Sequence, residues 1–144
     1  MRAYVFDIDG TLSDLTHRLH YISGDHKDWD GFFNSVGGDA VHEHIADLAR
    51  HLITVMPIII MSGRSEQCRR ATEQWLDKHN IPYNGLYMRK EGDHRPDFQV
   101  KRELLLALRS DEWEPIMAFD DRDQVVEMWR TEGIPCAQVA AGNF

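Results

Sequence analysis

A chain of 144 residues with 42% hydrophobic and 10% aromatic residues can bury one core, and we expect a single domain over 1–144. The formal net charge of -8 argues against a general nucleic-acid coat protein, and two isolated cysteines, Cys68 and Cys136, are too few for a disulfide framework. The longest apolar stretch, 52–61, is too short to span a bilayer and contains Pro57, so we expect a soluble, cytoplasmic protein without a signal or membrane segment.

Short apolar runs that alternate with amphipathic stretches predict an α/β fold. Such alternation typically gives a parallel sheet with helices on both faces, because each crossover helix packs back onto the sheet. We therefore expect a three-layer, Rossmann-like architecture that binds ligands beyond the carboxyl ends of its strands. In chain order we predict a strand over 2–6, a helix over 41–52, a strand over 58–61, a helix over 66–79, a strand over 85–89, a helix over 98–108, a strand over 116–119, a helix over 124–131 and a strand over 137–140.

The segment 13–39 does not follow this alternation, since it combines glycines and histidines with the aromatic cluster Trp29, Phe32 and Phe33. We expect a loop with a short helix around 28–35, forming a minimal cap or lid inserted after the first strand. The aromatic side chains form either a small local core or a stacking surface for a nucleobase, and the local core is the simpler interpretation.

The first strand ends at two acidic residues, Asp7 and Asp9, which are followed by Gly10. Because residues i and i+2 of an extended segment point to the same side, the two carboxylates can share one small space. Crowded carboxylates repel each other and favour a divalent cation or a shared proton. The arrangement therefore predicts metal-assisted catalysis at the carboxyl end of this strand.

Polar groups of complementary type follow two further strands. Ser62-Gly63-Arg64 follows one apolar run and offers a hydroxyl and backbone amides at a helix start, which suit a phosphate oxygen. Asp120-Asp121 follows another apolar run, and its carboxylates suit Mg²⁺. Lys101 can supply a fixed positive charge from the third predicted helix. Each motif alone has an ordinary structural explanation, such as a cap or a solvated lysine, but their joint order indicates a phosphoryl-transfer site.

In this order, Asp7-Ile8-Asp9-Gly10-Thr11-Leu12, Ser62-Gly63-Arg64, Lys101 and Asp120-Asp121 resemble the four motifs of the haloacid dehalogenase superfamily. The later half is similar to one subgroup, the 3′-phosphatase domain of bacteriophage polynucleotide kinase/phosphatase. That similarity is carried by three stretches, namely 88–101, 120–130 and 136–144. No GxxxxGK[ST] motif is present, so we do not expect 5′-kinase activity. The resemblance implies a host-cytoplasmic location if the chain is phage-encoded, and a role in nucleic-acid repair.

The resemblance also implies the chemistry of the acidic residues. Asp7 would be the nucleophile that becomes an aspartyl-phosphate, and Asp9 would be the general acid and then the general base. Mg²⁺ would bind Asp7, the carbonyl of Asp9 and Asp120, with Asp121 bound directly or through water. Because Asp9 must carry a proton in the first step, we expect burial near the phosphate to raise its pKa.

The remaining motifs would hold the substrate. In the family, the equivalents of Ser62 and Lys101 bind phosphoryl oxygens, and Lys101 would also orient the nucleophile. The resemblance implies substrate contacts from Thr11, Arg18, Gly63, Arg64, Arg89 and Arg95.

Basic residues are concentrated between Arg64 and Arg102, where nine Lys/Arg and six Asp/Glu give a net charge of +3. The rest of the chain carries seven basic and eighteen acidic residues, which give a net charge of -11. This surplus indicates either a surface for a polyanion or an uneven solvated face. Three functions stay open: a phosphatase for the 3′-phosphate of a polynucleotide end, a phosphatase for a small substrate such as a nucleoside monophosphate, and a non-catalytic module that binds nucleic-acid ends. The absence of a large cap, which suggests an open site, and the local basic surplus favour the first. An aromatic cluster in a mobile lid would favour the second, and the presence of Asp7, Asp9, Lys101 and Asp120 argues against the third.

Overall fold

Seven β-strands and five α-helices make up the computed structural model, which describes residues 1–144. None of the helices has the length and apolar character needed to cross a membrane. Three 3₁₀ helices, Thr16–Tyr21, Val36–Gly38 and Glu66–Cys68, lie between the longer elements. The strands are β1 (Arg2–Phe6), β2 (Ser13–Asp14), β3 (Ala40–Val41), β4 (Ile58–Ser65), β5 (Gly85–Arg89), β6 (Glu114–Asp120) and β7 (Cys136–Gln138), and the helices are α1 (Trp29–Asn34), α2 (Glu43–Leu52), α3 (Arg69–Lys78), α4 (Asp97–Ser110) and α5 (Asp123–Thr131).

Five of the strands form the central sheet in the order β5-β4-β1-β6-β7, and every neighbouring pair is parallel. The chain moves outward from β1 through β4 to β5 and then returns to the other side of β1 with β6 and β7. This reversal makes the carboxyl end of β1 a switch point, where open α/β sheets bind their ligands. The predicted parallel, Rossmann-like sheet is confirmed.

The alternation of side chains along β1 divides the core between two helical layers. Ala3 and Val5 face one side, where they join the cluster that includes α4 and α5. Phe6 faces the other side with α2 and α3, and its ring stacks on Phe119 with centroids 4.4 Å apart. Both faces of the strand are buried, which explains why β1 and β4 are continuous apolar runs rather than alternating ones.

The boundaries of β1 and β5 match the prediction, whereas β4 is longer than predicted. It continues to Ser65, with an irregular register against β5 between Ser62 and Ser65. Ser62-Gly63-Arg64 therefore lies in a distorted strand end, not at a helix start as expected. The helix predicted over 66–79 begins with the 3₁₀ turn Glu66–Cys68, and Ser65 caps this turn by accepting a hydrogen bond from the Gln67 amide. The last strand is 136–138 rather than 137–140.

The segment 13–39 is closed at its base by the antiparallel pair of β2 and β3. It contains the 3₁₀ helix Thr16–Tyr21 and α1, which corresponds to the predicted short helix. Val36, near the end of the segment, is fully buried against Cys68 and Met88. This contact anchors the segment to α3 and β5, so it is packed against the carboxyl edge of the sheet.

Candidate active site

The carboxyl ends of β1 and β6 bring together three buried carboxylates, which we call the acidic triad: Asp7, Asp120 and Asp121. One oxygen from each lies within 4.8 Å of the others. The backbone leaves β1 through Gly10, whose φ of +84° favours glycine, and a β-carbon there would lie 2.1 Å from Asp121 Oδ2. Gly10 therefore allows Asp121 to approach the end of β1.

Lys101 supplies the countercharge of the acidic triad. From the first half of α4, its Nζ donates hydrogen bonds of 2.8 Å to both Asp7 Oδ1 and Asp120 Oδ2. Burial alone would lower the pKa of Lys101, but Asp120 and Asp7 outweigh this effect and hold its pKa well above the usual value. The ammonium is thus permanently charged and fixed against the nucleophile candidate.

One ammonium does not neutralise three carboxylates. Burial and the neighbouring Asp120 raise the pKa of Asp7 well above its usual value in spite of Lys101, and the same two causes raise the pKa of Asp121. The hydroxyl of Thr11 donates to Asp7 at 3.3 Å and to Asp121 at 3.2 Å, which steadies the two carboxylates without adding charge. An excess of buried carboxylate oxygens fits a hard divalent cation, and the acidic triad could therefore hold a metal.

Asp120→Ala is expected to weaken Mg²⁺ binding by about tenfold or more, because the site loses one of its oxygen ligands. Calorimetric titration of Mg²⁺ into the variant measures this loss, and circular dichroism checks that the fold is kept. Glu127→Ala, an exposed acid on α5, is the matched control. An unchanged Mg²⁺ affinity in Asp120→Ala would exclude Asp120 as a metal ligand.

Asp9 faces away from the acidic triad and towards two arginines. Arg18 Nη2 donates to Asp9 Oδ1 at 2.6 Å, and Arg64 Nη2 donates to the same oxygen at 2.7 Å. Burial alone would raise the pKa of Asp9, but Arg64 and Arg18 outweigh it and lower the pKa to about 2. The expectation of a raised pKa is wrong for the free protein, since it did not anticipate these two guanidinium groups. The Asp9 side chain also lies outside the acidic triad, so only its carbonyl stays predicted as a metal ligand.

A residue that the sequence analysis missed, Asp39, joins this network from the end of the segment 13–39. Its buried carboxylate accepts hydrogen bonds from Arg18 Nε at 2.8 Å and from Arg64 Nη2 at 3.0 Å, and its backbone carbonyl accepts one from Trp75 Nε1 at 2.8 Å. Two buried guanidinium groups require two carboxylates, and Asp9 supplies only one. No sequence signal marked Asp39, because it lies in no motif and the sequence does not show that Arg18 and Arg64 are buried together.

Asp39→Asn is expected to lower both stability and kcat/KM. The amide leaves Arg18 and Arg64 with Asp9 as their only anion, and breaking a buried ion pair on one side typically costs about 3–5 kcal/mol. Misplaced arginines should also reduce kcat/KM by about tenfold. Thermal unfolding and phosphate release measure the two effects, with the exposed Asp77→Asn as control. A variant that unfolds like the wild-type protein would show that Asp39 does not hold the two arginines.

A cleft of about 740 Å³ lies over the acidic triad. Part of its lining comes from the segment 13–39, and another part comes from the loop between β5 and α4. Its lining includes eight of the twelve predicted site residues, namely Asp7, Asp9, Gly63, Arg64, Arg89, Arg95, Asp120 and Asp121. The other four, Thr11, Arg18, Ser62 and Lys101, are buried beside the cleft and not among its lining residues.

Arg18 and Ser62, like Thr11, make contacts that the prediction did not include. Arg18 is fully buried with its guanidinium 4.3 Å from the centroid of the Phe32 ring, and its Nη1 has no hydrogen-bond partner. Ser62 Oγ accepts a hydrogen bond from the Arg64 amide at 3.1 Å. In the free protein Ser62 thus supports the backbone that carries Arg64, and its predicted contact with phosphate stays a prediction.

Arg89 and Arg95 reach the cleft but are engaged within the chain. Arg89 donates to the Gly63 carbonyl at 2.7 Å, to the Arg95 carbonyl at 2.6 Å and to Asp97 Oδ1 at 2.9 Å. Arg95 forms ion pairs with Asp93 at 2.7 Å and with Glu103 of α4 at 2.5 Å. Arg89 therefore holds the loop before α4 against the end of β4, and its predicted substrate contact would compete with these bonds.

The basic surplus between Arg64 and Arg102 is largely paired in the same way. Three of its nine members have no carboxylate oxygen within 4.0 Å, so a polyanion would meet few unpaired basic side chains on this surface. The paired residues are Arg64, Arg69, Arg89, Arg95, Lys101 and Arg102, and the unpaired ones are Arg70, Lys78 and Lys90.

Sequence comparisons match this chain to known proteins over almost all of its length. The family model of the polynucleotide kinase PNKP phosphatase domain matches residues 1–144. A protein of Autographa californica nuclear polyhedrosis virus, assigned as a bifunctional polynucleotide kinase/RNA ligase, is 33% identical over 137 residues, which are 93% of this chain and 18% of that protein.

Solved structures agree with the sequence comparison. A chain in the Pnkp1/Rnl/Hen1 RNA repair complex is 34% identical, with a TM-score of 0.86 over 99% of this chain and 43% of that one. A haloacid dehalogenase-like hydrolase from Streptococcus pneumoniae is 16% identical, with a TM-score of 0.66 over 99% of this chain and 93% of that one, and shows the shared fold. The chain thus spans less than half the length of the viral relative and of the chain in the RNA repair complex.

Proposed function

Because this chain belongs to the family of polynucleotide kinase phosphatase domains, we propose that it is a Mg²⁺-dependent phosphomonoesterase that removes the 3′-phosphate from polynucleotide ends. Membership of the family makes it a hydrolase of the phosphatase type. The observation that carries the proposal is the buried acidic triad with Lys101 fixed against Asp7, at the base of a cleft large enough for more than a phosphate.

In the first step, an Asp7 oxygen attacks phosphorus, and the bond between phosphorus and the 3′-oxygen breaks. Asp9 donates its proton to the leaving 3′-oxygen, so that the products are an aspartyl-phosphate and a free 3′-hydroxyl. Lys101 holds the attacking carboxylate in place through its 2.8 Å hydrogen bond. When bound, Mg²⁺ would offset the repulsion between the carboxylate and the phosphate dianion.

In the second step, a water molecule attacks phosphorus and gives its proton to Asp9. The bond between phosphorus and Asp7 breaks, which releases inorganic phosphate, restores the Asp7 carboxylate and leaves Asp9 protonated for the next cycle. Asp9 needs a proton to begin the cycle, whereas Arg18 and Arg64 keep it ionised in the free protein. A phosphate dianion beside Asp9 competes for these arginines and repels the carboxylate, and both effects favour the protonated acid.

A phosphatase for nucleoside monophosphates is the second candidate. The cleft volume of about 740 Å³ and its partly apolar lining are typical of small-ligand sites. Most basic residues between Arg64 and Arg102 are already paired with carboxylates, which makes them less available to bind the phosphates of a polyanion.

Phosphate release from matched substrates separates the two candidates. The screen contains 3′- and 5′-phosphorylated oligonucleotides of RNA and DNA and the corresponding mononucleotides, each with Mg²⁺ and with EDTA. We expect kcat/KM for 3′-phosphorylated oligonucleotides to exceed that for mononucleotides by at least about tenfold, and EDTA to abolish turnover. Equal or higher kcat/KM for mononucleotides would favour the second candidate, and turnover in EDTA would contradict Mg²⁺ dependence.

A further inference from the structure

Six of the seven hydrophobic residues that line the cleft come from the segment 13–39, and the seventh is Phe144. The residues of the segment form an apolar wall. We call it the apolar wall and define it by Leu15, Leu19, Ile22, Trp29 and Phe33. Leu19 is 40% exposed and Trp29 is 44% exposed, which places both among the few large hydrophobic residues of the chain that are not covered. Contiguous exposed apolar surface of this kind often marks a ligand-binding groove.

The apolar wall rests on packed structure. The Trp29 ring lies 5.8 Å from Phe32 and 6.0 Å from Phe33, centroid to centroid. Phe33 packs against the buried cluster of Val36, Cys68 and Met88 that joins the segment to α3 and β5. The exposed ring of Trp29 is therefore presented by a supported helix, α1, whose first turn is capped by Asp28.

The apolar wall is also continuous with the reaction site. Phe32 lies under the Arg18 guanidinium at 4.3 Å, and Arg18 in turn donates to Asp9 at 2.6 Å. Trp29 and the acidic triad line the same cleft. A group attached to the reacting phosphate can therefore occupy the cleft and lie against these side chains.

We propose that the apolar wall binds the nucleobase next to the reacting phosphate, with Trp29 as its stacking surface. This assignment rests on the proposed function. Stacking suits a phosphatase that accepts any sequence, because every base has a π-face whereas an apolar wall cannot read hydrogen-bonding edges. The ammonium of Lys27 lies over the Trp29 ring, 5.9 Å from its centroid, so a base that stacks on this face displaces Lys27 and leaves its positive charge beside the bound strand.

The test compares two single-stranded oligonucleotides that end in a 3′-phosphate and differ only in whether the terminal nucleotide carries its base. Wild-type kcat/KM should be about tenfold lower for the abasic end. Trp29→Ala should lower kcat/KM by about tenfold for the base-bearing end and leave the abasic end unchanged, while Trp29→Phe should keep most of the preference. Leu106→Ala, an exposed leucine on α4 far from the cleft lining, is the control and should change neither value.

Equal wild-type kcat/KM for the two ends, or an equal loss for both in Trp29→Ala, would overturn the assignment. The wild-type comparison decides the matter alone if Trp29→Ala fails to fold. A base preference seen only with nucleoside monophosphates would support the apolar wall and contradict the polynucleotide substrate. Hydrolysis of acetyl phosphate without hydrolysis of either oligonucleotide or any nucleotide would overturn both proposals.

Discussion

Asp7→Asn is expected to lower kcat by about 10⁴-fold or more while the fold is kept, because an amide cannot form the aspartyl-phosphate. The same change should leave thermal stability in EDTA unchanged or raise it. Burial and Asp120 disfavour the ionised Asp7 carboxylate, as its raised pKa indicates, and a neutral amide removes that repulsion. The amide oxygen can still accept the hydrogen bond from Lys101.

Phosphate release and thermal unfolding, both measured with and without Mg²⁺, check this pair of effects. The exposed Asp77→Asn control should change neither. Activity within tenfold of the wild-type value would exclude Asp7 as the nucleophile. A marked loss of stability in EDTA would show that the attraction between the Asp7 carboxylate and Lys101 stabilises the fold more than the repulsion between Asp7 and Asp120 destabilises it.

The convergence of Asp7, Asp120 and Asp121 could be predicted from the sequence, because the carboxyl ends of adjacent parallel strands meet at one edge of a sheet. The register confirms this reason, since Phe6 of β1 pairs with Phe119 of β6, the residues just before the first two acids. The presence of Lys101 at the site could also be predicted, because Lys101 lies near the start of a crossover helix. These residues depend on local pattern and topology, which a sequence displays.

The electrostatics of Asp9 could not be predicted in the same way. Its two arginines lie 9 and 55 residues away in sequence, and their shared carboxylate, Asp39, lies in a segment without regular periodicity. Local charge counts do not show which cations will be buried together. The pKa of Asp9 therefore moved in the direction opposite to the one expected from burial alone.

The aromatic cluster shows the same limit. Sequence spacing groups Trp29, Phe32 and Phe33, and predicts a local core or a stacking surface as alternatives. In the structure Phe32 is buried and Trp29 is 44% exposed in the cleft, so the cluster supplies both. Sequence spacing does not show which rings the rest of the fold will cover, as it covers Phe33 through the cluster of Val36, Cys68 and Met88.

Lys101→Met is expected to make folding depend on Mg²⁺. Methionine keeps much of the side-chain volume but leaves the buried acidic triad without its ammonium, and removal of one partner from a buried ion pair typically costs about 3–5 kcal/mol. A bound divalent cation restores the missing charge, so Mg²⁺ should raise the melting temperature of the variant much more than that of the wild-type protein. The kcat should fall by about 10²-fold or more, because the fixed charge at the reacting carboxylate is lost.

The pH dependence of this variant has a definite sign. In the wild-type protein Lys101 lowers the pKa of Asp7, which burial and Asp120 already hold above its usual value. Without Lys101 that pKa rises further, so the folded state binds a proton more readily than the unfolded chain does. The metal-free variant should therefore gain stability as the pH falls from neutral towards the usual range of a carboxyl group, and Mg²⁺ should flatten this trend.

Thermal unfolding at pH 7.5 and pH 5.5, with Mg²⁺ and with EDTA, measures both effects, and the exposed Lys78→Met is the control. A variant with the wild-type response to Mg²⁺ and to pH would show that Lys101 does not neutralise the acidic triad.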